Sequence, residues 1–461
     1  MSTQDAIDPP HTLHRTLSPL EVMFLTFSSL SPAMSVFIYG DGILHQAGTG
    51  TALAVLIGGA VAAVATFLYA ELGAAFPHAG GVYPSLKGIL GPLWAFPYIT
   101  MMILVGPTQL AYAVLGFADY VRVLEPDLPQ IPVAVGCLAV ACFVAVQRIK
   151  TGALVTGAFL MVEAIAVIVM AVVAVLHPVR PLWEVLSNPV ILDDGLLKPL
   201  AFGGLGLAIV TGVYTTAGGN WALYFGEELK DAEHRIGPVV SWVGQLAAIS
   251  IAGPLILMVL SITDLKEVLG SDAPAATFIG NTVGHGVAAV VSGALVVAIF
   301  NAVVVNMMCY ARLFYATGRD GIWPAPANRL LGHLHPKMRT PIAATLVVCV
   351  CTFALMLSGE KLLLVLVSGE NAIEYLMLAA AVLLGRYLGK TGKTFKAPLH
   401  PLVPGITLVV VAGFLVAEWL DEDAGRPSLI LLTALCIGSI AYYWFRMRNK
   451  EGGFQREVPQ E

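Results

Sequence analysis

The side chain with the clearest capacity for chemistry is the carboxyl group of Glu163, which stands alone in the apolar run VTGAFLMVEAIAVIVMAVV. Ionisable residues inside a membrane are costly and default to a functional interpretation. A carboxyl group at such a place is neutral when desolvated and charged when water reaches it, so it can take up and release a proton. We therefore predict a proton-coupling role for Glu163. The alternative is a permanently protonated hydrogen-bond donor that holds helices together.

A second chemical feature is a polar interruption in the apolar stretch from Leu200 to Glu228. Two threonines, two glycines and an asparagine occur together between Thr215 and Asn220. Inside a bilayer every backbone N–H and C=O group needs a partner, so unwound backbone persists only where protein, water or a ligand supplies one. We predict that Gly218 and Gly219 unwind a helix and direct backbone groups to a ligand. The alternative is a close helix contact made by small residues.

A similar interruption lies in the first apolar run, where residues 27–37 read FSSLSPAMSVF. Pro32 removes a backbone donor, and four serines supply hydroxyl groups at the same depth. An ordinary proline kink would explain Pro32 alone. Paired interruptions in corresponding helices, however, mark the binding site of transporters built from inverted repeats. The pair therefore predicts two broken helices that meet near the middle of the membrane.

The elements that must position these residues follow from the composition of the 461-residue chain, which is 57% hydrophobic and 12% charged with a mean hydropathy of +0.81. Soluble domains carry about 25% charged residues, so we predict an all-α integral membrane protein with several spans. Apolar runs of about 18 or more residues mark the spans. The twelve predicted spans begin near residues 19, 50, 91, 131, 153, 200, 237, 286, 341, 361, 404 and 428.

The orientation of the spans follows from the basic residues, because cytoplasmic loops carry an excess of Lys and Arg. With the N-terminus inside, 18 of the 25 basic residues fall on the cytoplasmic side and six on the other. Both termini are therefore predicted to be cytoplasmic, in a multi-pass protein of the cell membrane. The two interrupted spans, the first and the sixth, lie five spans apart. Because five is odd, the second group of helices would enter the membrane from the opposite side, as in an inverted repeat.

Several other residues are predicted to have no chemical role. The six cysteines all fall inside apolar segments without metal-ligand spacing, which is typical of small buried side chains. His333 and His335 lie in a loop with no Cys or carboxylate at ligand spacing, so no metal site is predicted. The net charge of −5 gives no indication of a nucleic-acid partner. No cofactor is predicted, because the glycine pairs lack the strand context of nucleotide-binding loops.

The stretch after the eighth predicted span resembles a known family. Residues 310–324 read YARLFYATGRDGIWP and are followed by Thr340-Pro341. Further matches occur in order along the chain: residues 69–72 read YAEL, 79–83 read AGGVY, 226–228 read GEE and 395–398 read FKAP. These motifs and their order make the chain similar to the amino acid/polyamine/organocation (APC) superfamily, and within it to the amino acid permeases. The resemblance extends over residues 17–447.

The resemblance implies a LeuT-type fold, in which ten helices form two inverted repeats of five and two further helices follow. We therefore expect an N-terminal tail over residues 1–17, repeats over 18–177 and 198–390, two C-terminal helices over 391–447 and a C-terminal tail over 448–461. The resemblance also implies transport of amino acids or related amines by alternating access, and it brings the helix of Glu163 beside the first interruption. One departure is Ala33-Met34-Ser35, which stands where family members commonly carry a Gly-Ser/Ala-Gly triplet.

The predicted substrate contacts come mainly from the two interruptions, where new helix N-termini can hold a carboxylate through partial positive charge and free N–H groups. The resemblance adds an aromatic gate at Tyr214 and a substrate-facing amide at Asn306. Gln109 is a further amide of the same kind. The alternatives are serines that bond back to the preceding turn and amides that only join helices. The full predicted set is Ser31, Ala33, Ser35, Tyr214, Thr215, Thr216, Gly218, Gly219, Asn306 and Gln109.

Three acidic residues and one asparagine complete the predictions. Glu374 lies one helical turn after Glu370 in SGENAIEYLMLAAA and is predicted to contact a substrate amine or to form a gate. Glu370 itself is expected on a solvated face. Glu71 lies near a cytoplasmic helix end and is expected in a closed-gate ion-pair network. Asn220 is expected to cap the helix that continues after the second interruption.

The preferred function is secondary active transport of an amino acid or related small amine, with symport of a proton through Glu163. The alternatives are an exchanger of amino acids or amines, and a sensor of the same fold that binds substrate without flux. An enzyme is disfavoured because no His/Asp, Ser/Lys or metal constellation has workable spacing. A transporter of the major facilitator type is disfavoured because only about ten residues join the sixth and seventh spans. The expected partners are the substrate, the proton and the lipid bilayer, and the sequence carries no signal for an oligomeric state.

Overall fold

The chain folds almost entirely into helices. The computed structural model describes residues 17–77, 81–147, 153–335 and 340–448. Shorter turns are π-helical at Ser35–Tyr39 and Tyr443–Met447 and 3₁₀-helical at Gly48–Gly50 and Gly219–Glu228. In chain order the α-helices are α1 (Pro19–Leu30), α2 (Pro32–Met34), α3 (Gly40–Ala47), α4 (Thr51–Ala75), α5 (Tyr83–Leu90), α6 (Pro92–Leu124), α7 (Gln130–Val146), α8 (Ala153–Leu176), α9 (Leu182–Ser187), α10 (Phe202–Thr216), α11 (Ala232–Ser261), α12 (Leu265–Leu269), α13 (Pro274–Val283), α14 (His285–Arg319), α15 (Ala325–Leu331), α16 (Ile342–Met356), α17 (Glu360–Tyr387), α18 (Leu402–Leu420) and α19 (Gly425–Tyr442).

Within the described residues, eight helical segments are long and apolar enough to cross a membrane by length and composition. One of them, Pro19–Ala75, contains the first two predicted spans. Three further apolar helices, α7, α10 and α16, are shorter, with 10–17 residues each. Every predicted span begins within a few residues of a helix start, so the expectation of a helical membrane protein is confirmed apart from one β-hairpin. The number of twelve crossings stays a prediction.

The first interruption separates α1 from α2 at Ser31, whose backbone is left-handed with φ 47° and ψ 87°. Pro32 explains the position, because a proline lacks an N–H group and disfavours helical backbone in the residue before it. The Ser31 hydroxyl accepts a hydrogen bond from the Met34 N–H at 3.3 Å, and the Ser31 carbonyl accepts one from the Ser35 N–H at 3.0 Å. The predicted break in the first span is therefore present, and it is stabilised from within.

The second interruption follows α10, which ends at Thr216. Ala217 is extended, with φ −76° and ψ 142°, and the 3₁₀ segment Gly219–Glu228 begins after Gly218. The Thr216 hydroxyl donates a hydrogen bond to the Gly212 carbonyl at 2.7 Å, and such back-bonding weakens the regular helix ladder. The predicted break is therefore present, but it is centred on Ala217 and Gly218, one residue before the predicted pair Gly218 and Gly219.

Helices α4 and α10 approach closely through a glycine from each helix. A Cβ atom at Gly58 would lie 2.5 Å from the backbone carbonyl carbon of Gly212, and one at Gly212 would lie 2.7 Å from the carbonyl oxygen of Ala54. Lipid is as apolar as a protein core, so tight packing of small residues is a main means of helix association in membranes. Helix α11 also packs along α4, and α8 contacts α1 and α2. These contacts hold both interrupted segments in one bundle.

A β-hairpin precedes α10 and was not expected from the sequence. Strands β1 (Val190–Asp193) and β2 (Leu196–Pro199) pair antiparallel, in a register from Val190↔Pro199 to Asp193↔Leu196. The turn residues Asp194 and Gly195 have φ values of 49° and 72°, as a two-residue hairpin loop requires. The Val190 N–H donates to the Thr49 hydroxyl at 2.9 Å. The hairpin therefore contacts the turn between α3 and α4.

A buried ion pair joins the C-terminal ends of α4 and α17. Glu71 is fully buried and accepts hydrogen bonds from Arg386 Nε at 2.8 Å and Nη2 at 2.6 Å. The Thr391 hydroxyl donates to the same carboxylate at 2.9 Å, and the Ala397 N–H does so at 2.7 Å. Bidentate pairing with arginine is among the strongest polar contacts in proteins. The ion pair expected for Glu71 is confirmed, and its role as a gate stays a prediction.

Candidate functional site

A cavity lies where the two interrupted segments meet. Its volume is about 60 Å³, which is room for several water molecules. The first segment contributes Ser35 to its wall, and the second contributes Tyr214 and Thr215. Helices α6 and α17 supply further walls, including Gln109 and Glu374. The fold thus brings together two interruptions that lie far apart in the sequence.

Three tyrosines form a layer at one end of the cavity, which we call the tyrosine layer: Tyr39, Tyr112 and Tyr214. The Tyr39 ring stacks on Tyr112 with centroids 5.2 Å apart and meets Tyr214 edge to face at 5.1 Å. The Tyr214 hydroxyl donates to the Tyr39 hydroxyl at 3.4 Å. Tyr39 and Tyr214 line the cavity, whereas Tyr112 lines a separate pocket that contains Asp41. The tyrosine layer therefore separates the two spaces.

Helix α17 presents an acidic face to the cavity. Glu370 and Glu374 both line it and are 3% and 4% exposed. The Tyr98 hydroxyl donates to Glu374 Oε1 at 3.2 Å. Oε1 of Glu370 has no hydrogen-bond partner in the part of the chain that the structure describes. The expectation that Glu370 lies on a solvated face is therefore wrong, because α17 turns this side chain inward.

Helices α6 and α14 meet at the cavity through a hydrogen bond from the Tyr310 hydroxyl to Gln109 Oε1. Gln109 is 5% exposed, and both residues line the cavity. The Trp221 ring meets Tyr310 edge to face, with centroids 6.2 Å apart. Helix α14 thus reaches the cavity through Tyr310. Asn306, one turn earlier on α14, is buried outside the cavity wall, and its Oδ1 has no partner within the described segments.

Glu163 lies on α8 beside the first interruption. Helix α8 packs against α1 and α2, and the Glu163 side chain is fully buried. Neither carboxyl oxygen makes a hydrogen bond of normal geometry to any described residue. The Ser31 side chain and the Ala33 backbone are polar groups that lie beside the carboxyl group. The carboxyl group is therefore enclosed against the residues that break the first helix.

Within the described ranges of the chain, no group of three or more His, Cys, Asp or Glu residues is placed to hold a metal ion.

The family model for amino acid permeases matches residues 17–440. The chain belongs to the amino acid permease family. The expectations of a permease of the APC type and of a protein that is not an enzyme are thereby confirmed.

Curated relatives of this permease are named as amino acid transporters. It is 29% identical over 432 residues to the Asc-type amino acid transporter 1 of Homo sapiens, covering 89% of this chain and 79% of that protein. It is 27% identical over 435 residues to the large neutral amino acids transporter small subunit 2 of Oryctolagus cuniculus, covering 89% and 77%. It is 25% identical over 436 residues to the cystine/glutamate transporter of Pongo abelii, covering 90% and 82%. Similar permeases thus carry names that refer to different amino acid classes.

The permease cavity contains only part of the predicted substrate-binding set. The predicted residues that line it are Ser35, Gln109, Tyr214, Thr215 and Glu374. The predicted residues outside its wall are Ser31, Ala33, Thr216, Gly218, Gly219 and Asn306. Contact of any of these residues with a substrate stays a prediction.

The two glycines of the second interruption pack against neighbouring helices. A Cβ atom at Gly218 would lie 2.7 Å from the Leu30 side chain, and one at Gly219 would lie 2.7 Å from the Val240 carbonyl oxygen. Both glycines therefore make the close helix contacts of small residues that were the alternative to an unwound helix in this stretch. The extended Ala217 before them lines the cavity.

Much of the cavity wall was not predicted from the sequence. Asn220 lines the cavity, and the 3₁₀ segment that contains it starts without a side-chain cap, so the capping role expected for Asn220 is wrong. The sequence does contain a signal for aromatic lining residues, because aromatic side chains follow soon after each interruption. Tyr39 follows the first interruption, and Trp221 and Tyr224 follow the second. The main unpredicted lining residues are Met34, Tyr39, Tyr98, Trp221, Tyr224, Tyr310 and Glu370.

Proposed function

We propose that this permease transports an amino acid or a related small amine across the cell membrane by alternating access. The observation that carries the proposal is the cavity shared by the two interrupted segments, with Ser35 on one side and Tyr214 and Thr215 on the other. Interrupted helices supply the backbone and hydroxyl groups that a polar ligand needs inside a membrane. Family membership and the names of the relatives support an amino acid as the ligand.

The proposed scaffold is the LeuT-type arrangement. Twelve spans, with inverted repeats over residues 18–177 and 198–390 and two further helices over 391–447, would account for interruptions in the first and sixth spans. The excess of Lys and Arg in alternate loops supports cytoplasmic termini. In this arrangement the tyrosine layer would close the external end of the cavity. The Glu71–Arg386 pair would lie at the cytoplasmic end.

The proposed coupling ion is the proton, carried by Glu163. This fully buried carboxyl group lies against the first interruption, near Ser31 and the Ala33 backbone. A buried carboxylate without partners is costly, so the group would hold its proton until water or a rearranged helix reaches it. Loss of the proton would then favour another arrangement of the first interruption. A shift of that kind between conformations is what symport by alternating access requires.

Uptake into proteoliposomes with an imposed pH gradient tests this proposal, using a panel of radiolabelled amino acids and amines. The wild-type protein is expected to accumulate its substrate from an acidic exterior, whereas Glu163→Gln should bind the substrate without accumulating it. Glu418→Gln is a matched control, because Glu418 is another fully buried acid and does not line the cavity. Normal accumulation by Glu163→Gln would refute the coupling role. Counterflow without accumulation in the wild type would indicate an exchanger, and binding without flux a sensor.

A further inference from the structure

Two buried carboxyl groups lie one helical turn apart on the cavity wall, and we call them the acidic pair: Glu370 and Glu374. They are 3% and 4% exposed, and both line the cavity. Side chains four residues apart lie on the same face of a helix. Among the described residues, Tyr98 donates a hydrogen bond to Glu374 and Tyr69 lies beside the same carboxyl group, whereas Oε1 of Glu370 has no hydrogen-bond partner. The acidic pair therefore has acceptor capacity, at Oε1 of Glu370, that the described residues leave unused.

The described surroundings of the acidic pair are rich in tyrosine, and within the described segments they contain no cation to balance it. None of the described cavity-lining residues is a lysine, arginine or histidine. Isolated buried carboxylates are costly, and buried charges are normally paired. A cationic ligand would supply that partner. The titratable side chains close enough to interact electrostatically with the pair are Tyr69 of α4, Tyr98 of α6, Tyr214 of α10, Tyr224 of the 3₁₀ segment, Tyr310 of α14, Tyr375 of α17 and Cys436 of α19.

Aromatic rings form much of the remaining cavity wall. Tyr98, Trp221 and Tyr310 lie on it together with Tyr39 and Tyr214 of the tyrosine layer. The faces of such rings attract cations, and a desolvated ammonium group gains more from them than an exposed one. Carboxyl groups beside aromatic rings therefore suit an ammonium group attached to a short apolar chain.

The first interruption, in contrast, offers little to a substrate carboxylate. A helix start binds an anion through its free N–H groups. Here Pro32 has none, and the N–H groups of Met34 and Ser35 already donate to Ser31. The Ala33 backbone faces the carboxyl group on α8. A substrate carboxylate would therefore depend on the second interruption.

We propose that the substrate carries an aliphatic ammonium group that binds between Glu370 and Glu374. This inference rests on the proposed transport function and names its substrate class, a small amine with a cationic end. A basic amino acid and an aliphatic diamine are the two sources of that chemistry. Either would pair with the carboxyl groups and pack its carbon chain on the tyrosine rings. Leucine offers only its α-ammonium group, which its own carboxylate balances, and glutamate adds a further carboxylate that the acidic pair repels.

Calorimetric titration of the purified full-length protein tests the assignment, with lysine, cadaverine, leucine and glutamate as probes. Lysine or cadaverine is expected to bind at least about tenfold more tightly than leucine and glutamate, as one added charged hydrogen bond implies. Tighter binding of lysine identifies an amino acid substrate, and tighter binding of cadaverine a diamine. Glu370→Gln and Glu374→Gln should each weaken this binding at least about tenfold. Glu418→Gln, outside the cavity, should leave it unchanged.

Preferential binding of leucine or glutamate would overturn the cationic assignment and leave the transport proposal intact. Wild-type affinity for the cation in both Glu370→Gln and Glu374→Gln would overturn it as well. The preference of the wild-type protein decides the point even if a variant fails to fold. An absence of binding and of proteoliposome flux for every amino acid and amine of the wider panel would instead refute the proposed function.

Discussion

Removal of the Glu71 carboxylate tests how much the buried ion pair contributes to the stability of the bundle. The carboxylate accepts four hydrogen bonds of 2.6–2.9 Å, from two nitrogens of Arg386, from Thr391 and from the Ala397 N–H. Glu71→Ala would leave the Arg386 guanidinium, whose side chain is 21% exposed, without its anion. Removing one member of a buried pair costs about 3–5 kcal/mol. We expect about 3 kcal/mol, because Arg386 is partly solvated and also donates to the Ala397 carbonyl.

The assay is reversible unfolding in mixed micelles with increasing denaturing detergent, applied to a double-mutant cycle of Glu71→Ala and Arg386→Met. The double variant leaves no unpaired charge, so its loss should fall short of the sum of the single losses by at least about 1 kcal/mol. Lys198→Met is the control, since it breaks an exposed pair with Asp193 at 2.7 Å and should change stability by less than about 1 kcal/mol. A loss below about 1 kcal/mol in Glu71→Ala, or strictly additive effects, would refute the reasoning.

Two further predictions concern the contact between α4 and α10 and the tyrosine layer. Gly58→Ala puts a Cβ atom 2.5 Å from the Gly212 backbone and should lower stability in the same assay by about 1–3 kcal/mol. Gly136→Ala, with nothing within 4 Å, should raise it by about 0.5–1 kcal/mol, and equal effects at the two sites would contradict the packing argument. Tyr214→Phe keeps the ring contact with Tyr39 and should retain uptake, whereas Tyr214→Ala should increase substrate efflux from preloaded proteoliposomes. Unchanged efflux in Tyr214→Ala would argue against a barrier at this layer.

The positions of the helices and of both interruptions could be predicted because a bilayer leaves few alternatives. Long apolar runs must be helical there, and Pro32 or a polar cluster such as residues 215–220 needs special partners. The β-hairpin before α10 was missed. Its signal is the short turn sequence Asp194-Gly195 between apolar residues, which a search for membrane spans passes over.

The rotation of each helix about its own axis could not be predicted, and this rotation decides which side chains line the cavity. In a soluble protein an apolar stripe orients a helix, but a helix between lipid and protein is apolar on all sides. Glu370 illustrates the difficulty, since a position near a span end suggested solvent and the fold buries the side chain in the cavity wall. Gly218 illustrates it too, because a glycine serves equally for unwinding and for close packing.

The first interruption has two faces, and this bears on how coupling would operate. Ser35 lines the cavity, while Ser31 and the Ala33 backbone, a few residues earlier, act on the carboxyl group of Glu163. Ser31 also accepts the Ser35 N–H bond at 3.0 Å, so the two faces are directly connected. A proton on Glu163 and a ligand in the cavity would therefore each favour one arrangement of the same short segment. Coupling between two sites requires such a shared element with two alternative arrangements. Proton and substrate then need no contact with each other. Substitution of Glu163 should therefore change the coupling of transport to the proton. It should leave the preference for a ligand unchanged, because the acidic pair would determine that preference.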